Sequence, residues 1–183
     1  MYIRLFALVV IILFSPFFLL ISLAIYIEDG FPIIFKQKRV GVNCNFFIIY
    51  KFRSMKKNTP NVATHLIENP SSYLLRTGKV LRMFSMDELP NFVNILQGEM
   101  VLVGPRPALY NQLDLMELRV AAGVDKLKPG ITGWAQINGR DKISIEAKVA
   151  LEKEYLEKRS IWFDLVIIVR TFTYVLVSKG VTH

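Results

Sequence analysis

An uncharged apolar run near the N-terminus constrains this chain more than any other feature. Residues 5–27 form 23 consecutive positions without Asp, Glu, Lys or Arg. As an α-helix, the run would be about 35 Å long, which matches the hydrocarbon core of a bilayer. A cleaved signal peptide is disfavoured, because its apolar region is usually about 7–15 residues long and no small-x-small cleavage site follows this run. The run therefore predicts a segment seated in a membrane.

Ser15 and Pro16 stand at the centre of the apolar run and divide it into residues 5–14 and 17–27. Each limb is about half a bilayer long. Pro16 lacks the amide that would bond the carbonyl of Ile12, so the sequence predicts a kink, and the hydroxyl of Ser15 can satisfy the freed carbonyl. Two topologies follow: a kinked helix that crosses the membrane, which these residues alone favour, or a helix that leaves on the side where it entered.

The charge balance indicates the partners and the orientation of the chain. A net charge of +8 and a pI near 9.6 imply an anionic partner. Acidic lipid headgroups and phosphorylated substrates fit better than nucleic acid. Lys36, Lys38 and Arg39 follow the apolar run, whereas Arg4 and the α-amino group precede it, so the positive-inside bias predicts a cytoplasmic location for the following domain. The single Cys44 excludes an internal disulfide.

The rest of the chain predicts an α+β domain that is mostly helical. Residues 32–38 and 46–52 have the pattern of a short β-hairpin. Residues 56–72 are polar and contain His65 and two prolines, which is typical of a long mobile loop. Helices are predicted at residues 74–84, from about 85–88 onwards, at 110–122, at 144–158 and at 162–178. The glycine-rich residues 128–140 predict a shaped loop or hairpin, and the last helix predicts either a membrane-interface element or ordinary core packing.

Two adjacent carboxylates, Asp87 and Glu88, are the first candidates for chemistry. Ser85 with Glu88 matches a capping box, and Pro90 is tolerated best near a helix start. Both carboxylates would then lie at a helix N-terminus, where the helix dipole favours the ionised form. That setting suits a carboxylate nucleophile and Mg²⁺, which takes oxygen ligands. A well-capped helix without catalytic function is the alternative interpretation.

The segment 104–107 (GPRP) places Arg106 between two prolines that restrict its backbone. A rigid turn would therefore present a guanidinium, which can bind phosphate in a bidentate manner or simply pair with a carboxylate. Further cationic candidates are Lys51, Arg53, Arg82 and Arg140. The sequence has no Walker A loop, GxGxxG, Cys/His metal spacing or GxSxG, which disfavours nucleotide kinases, Rossmann enzymes, zinc proteins and α/β-hydrolases.

Four segments together resemble the bacterial sugar transferase family, the small monotopic phosphoglycosyl transferases. They are residues 51–55 (KFRSM), 85–90 (SMDELP), 104–107 (GPRP) and 128–136 (KPGITGWAQ). The resemblance extends from the apolar N-terminus to the last predicted helix. It implies transfer of a sugar 1-phosphate from a UDP-sugar to polyprenyl (undecaprenyl) phosphate, with release of UMP, as the first membrane step of glycan assembly.

The resemblance also implies roles for individual residues. Asp87 matches the nucleophile of a ping-pong reaction through an aspartyl-phosphosugar, Glu88 matches its partner at the Mg²⁺ site, and Arg106 matches a phosphate-binding arginine. Other positions associated with the family's site are Lys51, Arg82, Gln136 and Asp164. The implied partners are the UDP-sugar, polyprenyl phosphate and membrane lipids. The compact form favours an N-acetylated aminosugar over glucose or galactose.

The family's Ser-Pro break belongs to a re-entrant helix, so the resemblance makes Ser15 and Pro16 a membrane hinge. It divides the chain into a re-entrant membrane helix at residues 1–28 and a catalytic domain with interfacial helices at residues 29–183, on the cytoplasmic face of a bacterial inner membrane. Ala7 stands where the family commonly has aspartate, which predicts weaker headgroup anchoring. A non-catalytic, membrane-tethered basic scaffold that binds nucleotide sugar or acidic lipid is the competing hypothesis.

Overall fold

The structure, a computed structural model, describes residues 2–59, 69–139 and 143–177, with side chains as far as residue 173. It is an α+β fold in which helices predominate, as predicted. In the described part of the chain, the helices are α1 (Tyr2–Leu13), α2 (Ser15–Asp29), α3 (Arg76–Met83), α4 (Asn91–Gln97), α5 (Leu113–Ala121), α6 (Trp134–Ile137), α7 (Ile145–Lys158) and α8 (Ile161–Val177). The strands are β1 (Ile34–Val40), β2 (Phe46–Phe52), β3 (Val101–Val103), β4 (Ala108–Leu109) and β5 (Gly130–Thr132).

The apolar run folds as two helices, α1 and α2, with a bend of 59° between them. The Ser15 hydroxyl donates to the carbonyl of Ile12 at 2.7 Å, which confirms the predicted bond to the carbonyl that Pro16 leaves free. No single helix in the described part of the chain is long and apolar enough to cross a membrane, although the bent pair together has that length and composition. The kink is confirmed, whereas re-entry and the boundary at residue 28 stay predictions.

One side of the bent pair packs onto the rest of the protein. Ala7 of α1 is fully buried in a cluster with Phe47, Ile49, Ile95 and Met100, and Ile25 of α2 is fully buried in a second cluster. The other side leaves large apolar residues exposed, which burial in lipid would cover. These exposed residues include Leu5, Val9, Ile12, Leu13, Phe17, Leu19, Leu20, Leu23 and Ile27.

The last turn of α2 is tied to the domain that follows. The Glu28 carboxylate accepts hydrogen bonds from the backbone amides of Arg76 (2.6 Å) and Thr77 (3.0 Å) and from the Thr77 hydroxyl (2.6 Å). Since the residue preceding α3 offers no side-chain cap, Glu28 caps α3 from another helix. Arg53 is buried and donates to the carbonyls of Asp29 and Gly30, so this cationic candidate has structural contacts.

Two small sheets position the segments that carry the sequence motifs. Strands β1 and β2 form the predicted antiparallel hairpin, and β4 pairs with the other edge of β1. Strand β5 pairs in parallel with β3, and α6 follows it. The loop or hairpin predicted at residues 128–140 is therefore wrong for the described part of that segment. Its glycines allow close backbone contact with a distant strand instead of reversing the chain locally.

The helices predicted at residues 74–84, 110–122, 144–158 and 162–178 are present as α3, α5, α7 and α8 with small changes at their ends. Ser144 caps α7 by accepting a bond from the Ala147 amide at 3.2 Å. Helix α8 buries Ile167 in the core and exposes Trp162 and Phe172, so its predicted position at a membrane interface stays a prediction. His65 and Arg140 lie outside the described residues.

The Glu28 cap gives a prediction for stability. In Glu28→Ala, the first amides of α3 lose their acceptor, so we expect the free energy of unfolding to fall by about 1 kcal/mol. For a chain of this size, the thermal midpoint measured in detergent should fall by about 2–4 °C. Glu157→Ala is the matched control, since Glu157 is exposed and only loosely paired with Lys153. Equal midpoints for the two variants would contradict the cap.

Candidate active site

Three distant segments of the chain meet at one oxygen of Glu88. Lys51 Nζ, from β2, lies 2.6 Å from Glu88 Oε1, and Arg106 Nη1, from the connection between β3 and β4, lies 3.4 Å from the same atom. The Lys51 and Glu88 side chains are only 15% and 18% exposed. The ion pair is therefore largely shielded from water. The Coulomb attraction between its two charges is less screened than in a pair on the surface.

The two neighbouring carboxylates have different electrostatic environments. Burial would raise the pKa of Glu88, but the nearby charges of Lys51 and Arg106 lower it to about 2. Burial raises the pKa of Asp87 above its usual range, and Lys51 only partly offsets this effect. Glu88 is thus the fixed counter-ion of the site, whereas Asp87 is the more basic of the two groups. A difference in pKa between two neighbouring carboxylates is typical of sites in which each carboxylate has its own chemical role.

The structure corrects the predicted capping box. Ser85 has a left-handed backbone (φ 55°) and makes no side-chain cap, and Asp87 and Glu88 lie in a 3₁₀ turn, Met86–Glu88. Helix α4 begins only at Asn91, with Pro90 before it, because a proline lacks the amide that a helix interior needs. The carboxylates therefore precede the helix. The cations around them contribute more to the stability of the ionised carboxylates than the helix dipole does.

Buried side chains fix the position of the acidic turn. Asn94 of α4 is fully buried, and its amide group donates to the Ile48 carbonyl at 2.6 Å and accepts from the Tyr50 amide at 3.2 Å. These bonds hold α4 against β2. As a consequence, Glu88 on the turn before α4 faces Lys51 at the end of β2.

Arg82 of α3 is the third cation of the site. Its Nε donates to the hydroxyl of Ser54 at 2.9 Å. Burial lowers the pKa of Arg82, and the charges of Asp87 and Glu88 oppose that effect, which places its guanidinium within electrostatic reach of both carboxylates. Helix α3 can lie this close because Gly78 faces the Ser54 backbone, where any Cβ would overlap the Ser54 carbonyl.

A shallow, open pocket lies beside the cluster and is lined by Lys51, Glu88 and Arg106. Arg39, which sequence reasoning assigned only to the charge bias, also lines it. The structure does not bring the other two predicted residues into contact with Glu88. The side-chain amide of Gln136 donates to the Ile131 carbonyl, and Asp164 accepts a 2.7 Å bond from the Tyr155 hydroxyl.

The acidic pair fits the oxygen chemistry of Mg²⁺. This ion is usually held by one or two carboxylates together with substrate phosphates. Glu88 Oε1 is engaged by cations, so Glu88 Oε2 and the Asp87 carboxylate are the remaining oxygens of the pair. Among the described residues, no three His, Cys, Asp or Glu side chains form a metal-binding group. Any Mg²⁺ here would therefore need further oxygens, such as those of substrate phosphates.

A known protein family matches almost the whole chain. The family model described as bacterial sugar transferase matches residues 3–178. The chain belongs to the bacterial sugar transferase family. It is therefore an enzyme, a sugar-phosphate transferase, and the resemblance noted in the sequence is confirmed. The four segments that carried the resemblance all lie within the matched residues.

Individual bacterial sugar transferases are similar over most of this chain. An uncharacterised sugar transferase, EpsL of Bacillus subtilis, is 42% identical over 155 residues, which cover 85% of this chain and 75% of EpsL. The UDP-glucose:undecaprenyl-phosphate glucose-1-phosphate transferase of Escherichia coli is 37% identical over 182 residues (95% of this chain, 39% of that protein). The UDP-N-acetylgalactosamine-undecaprenyl-phosphate N-acetylgalactosaminephosphotransferase of Aeromonas hydrophila is 34% identical over 179 residues (95% and 42%).

The close approach of two backbones at Gly130 predicts a sensitive position. A Cβ in Gly130→Ala would overlap the Gly104 amide nitrogen, so β5 and the Arg106 turn must separate. We expect a loss of at least about 2 kcal/mol in the free energy of unfolding. Gly41→Ala is the control, because its Cβ would meet mainly the movable Phe47 ring at 3.2 Å. Urea unfolding in detergent measures both variants, and a Gly130→Ala protein as stable as the control would contradict the packing.

Proposed function

We propose that this protein transfers a sugar 1-phosphate from a UDP-sugar to polyprenyl phosphate, giving polyprenyl diphosphate sugar and UMP. The observation that carries the proposal is the shielded carboxylate pair, Asp87 and Glu88, set among Lys51, Arg82 and Arg106. Family membership supports the general reaction. The names of the Escherichia coli and Aeromonas hydrophila relatives also support it, since both include undecaprenyl phosphate and a sugar-phosphate transfer.

The charges of the site suit a diphosphate donor. Lys51, Arg82 and Arg106 carry three positive charges against the two carboxylates, so an incoming diphosphate meets a net positive surface. The planar Arg106 guanidinium is partly exposed and can bind two phosphate oxygens at once. Mg²⁺ bound to the acidic pair would supply further neutralisation of the diphosphate charge.

Asp87 is the proposed nucleophile. Its carboxylate oxygen attacks the phosphorus bonded to the sugar oxygen, a bond forms between them, and the bond from that phosphorus to the UMP oxygen breaks. UMP leaves with the electron pair. Glu88 is less suited to this role, because two cations bind one of its oxygens and hold its pKa near 2. The higher pKa of Asp87 supports the assignment of nucleophilic attack to this residue.

Polyprenyl phosphate is the proposed second substrate. One of its phosphate oxygens attacks the same phosphorus, the bond to Asp87 breaks, and the free carboxylate returns. The two bulky substrates then use one pocket in turn and need not bind together. The acceptor must reach the pocket at the height of the lipid headgroups, which favours a domain held on the membrane surface by α1 and α2.

The nucleophile assignment predicts the effect of Asp87→Asn. An amide cannot form the acyl phosphate that the Asp87 carboxylate would form, so UMP release should fall by at least about a thousandfold. Without lipid acceptor, the wild-type protein should release a burst of one UMP per enzyme and retain the sugar phosphate on Asp87, which mass spectrometry of peptides detects.

Asp114→Asn is the matched control, because Asp114 lies exposed on α5 away from the pocket lining. Wild-type UMP release by Asp87→Asn would refute the mechanism, whereas a wild-type protein that releases no UMP from any donor would favour the non-catalytic scaffold. A screen of nucleotide sugars for UMP release, with release of other nucleotides measured in parallel, identifies the donor. It also tests the prediction of an N-acetylated aminosugar over glucose or galactose.

The proposed re-entrant topology predicts which face of the membrane Tyr2 occupies. Tyr2 is largely exposed, and Cys44 is an exposed thiol in the domain that follows α2. In vesicles, the thiol of Tyr2→Cys/Cys44→Ser should react with a membrane-impermeant maleimide from the same face as Cys44 in the wild-type protein. Reaction from opposite faces would restore the kinked helix that crosses the bilayer.

A further inference from the structure

Three consecutive carbonyl groups hold the turn that carries Arg106, together with the Gly104 amide, which donates to the Thr132 carbonyl at 2.9 Å. Pro105 and Pro107 have no amide hydrogen, so the turn has few donors with which to bind its surroundings. Its three consecutive carbonyls each accept a bond from a different element. The carbonyl of Pro105 accepts from the Gly130 amide (2.9 Å), that of Arg106 from Arg119 Nη2 (2.9 Å), and that of Pro107 from Arg39 Nη1 (3.0 Å).

Arg119 makes its bond from a buried ion pair. Arg119 and Glu152 are 4% and 2% exposed, and the guanidinium binds the carboxylate through both Nε (2.8 Å) and Nη2. The Nη2 group has a second hydrogen, which reaches the Arg106 carbonyl. A buried ion pair is weak evidence of a gain in stability, because desolvation offsets the attraction. The bond to the Arg106 carbonyl provides a functional reason for this costly pair.

Arg39 holds the next carbonyl from β1. Its Nη2 binds the side-chain oxygen of Gln37 at 2.6 Å, which orients the guanidinium while Nη1 donates to Pro107. Both arginines therefore use the fork of a guanidinium to join one side-chain partner and one carbonyl of the turn. A lysine has no fork of this kind.

The three hydrogen-bonded carbonyls of the turn determine the direction of the Cα–Cβ bond of Arg106. The Pro105 carbonyl fixes the peptide plane before the Arg106 Cα, and the Arg106 carbonyl fixes the plane after it. With both planes fixed, the direction of the bond from Cα to Cβ is fixed as well. The Arg106 side chain therefore extends from a fixed backbone position, and its guanidinium lies toward Glu88 and the pocket.

We propose that Arg119, supported by Glu152, and Arg39 are positioning residues for Arg106. Neither acts on the reacting atoms, and each acts through the backbone of the turn. The inference rests on the proposed function, in which Arg106 binds a phosphate of the donor. A displacement of about 1 Å in such a group can reduce a rate about a hundredfold, so the position of the turn matters for catalysis.

The test replaces the ion pair as a unit, in Arg119→Met/Glu152→Met. Apolar residues of similar volume should leave the thermal midpoint unchanged or raise it, because the desolvation cost disappears. The bond to the Arg106 carbonyl is lost, so kcat/KM for UMP release should fall about 10- to 100-fold. Wild-type kinetics in a folded double variant would overturn the proposal.

A double-mutant cycle with Arg106→Ala separates positioning from general damage. If Arg119 acts through Arg106, the Met/Met replacement should cause little further loss once the Arg106 guanidinium is absent. Equal losses in both backgrounds would overturn the proposal. If Arg106→Ala itself keeps full activity, the assigned role of Arg106 in the proposed function fails, and the proposal built on it fails for that separate reason.

Arg39 provides a second test that leaves the buried pair intact. Arg39→Met should lower kcat/KM about tenfold through the loss of the Pro107 contact, and Arg39→Lys, which keeps one donor, should recover part of that loss. Equal activity of Arg39→Met and the wild-type protein would contradict the role of Arg39. Circular dichroism and the thermal midpoint establish that each variant is folded.

Discussion

The carboxylate of Glu88 is the interaction on which the arrangement of the site depends. Lys51 and Arg106 come from segments 37 and 18 residues away, and both bind one oxygen of this group. Because the Lys51–Glu88 pair is shielded from water, removal of either member would leave a poorly compensated charge. The same pair separates the roles of the two carboxylates. It keeps Glu88 ionised and occupied, and under the proposed function it leaves the more basic Asp87 as the group that reacts.

The bent helix pair α1–α2 is joined to the elements that carry the site. Glu28, at the end of α2, caps the helix that carries Arg82, and Arg53 binds the carbonyls that end α2 and lies two residues from Lys51. Helix α2 is therefore joined by hydrogen bonds to α3, which supplies Arg82, and to the residue that follows β2, the strand that supplies Lys51. Under the proposed function, in which the second substrate is a lipid phosphate, this connection would set the depth of the pocket relative to the headgroups.

The sequence allowed prediction of features that depend on neighbouring residues. The Ser15 bond at the kink, the β1–β2 hairpin and the longer helices each follow from local patterns. Prediction failed where a distant partner decides the outcome. Strand β5, for example, pairs with a strand that lies 29 residues earlier in the chain. The capping box failed for a local reason, because Pro90 delays the helix that Ser85 was expected to cap. The Arg119–Glu152 pair was missed because single charges within helical patterns are usually solvated.

The Arg106 turn shows why a correct motif still leaves a site incompletely specified. Two prolines restrict the backbone on either side of the arginine, so local rigidity can be predicted from four residues. The same prolines remove the amides that would orient the turn within the protein. Orientation therefore comes from donors elsewhere in the chain, namely Gly130, Arg119 and Arg39. A rigid turn built from prolines needs donors from other segments, and those donors lie outside its motif.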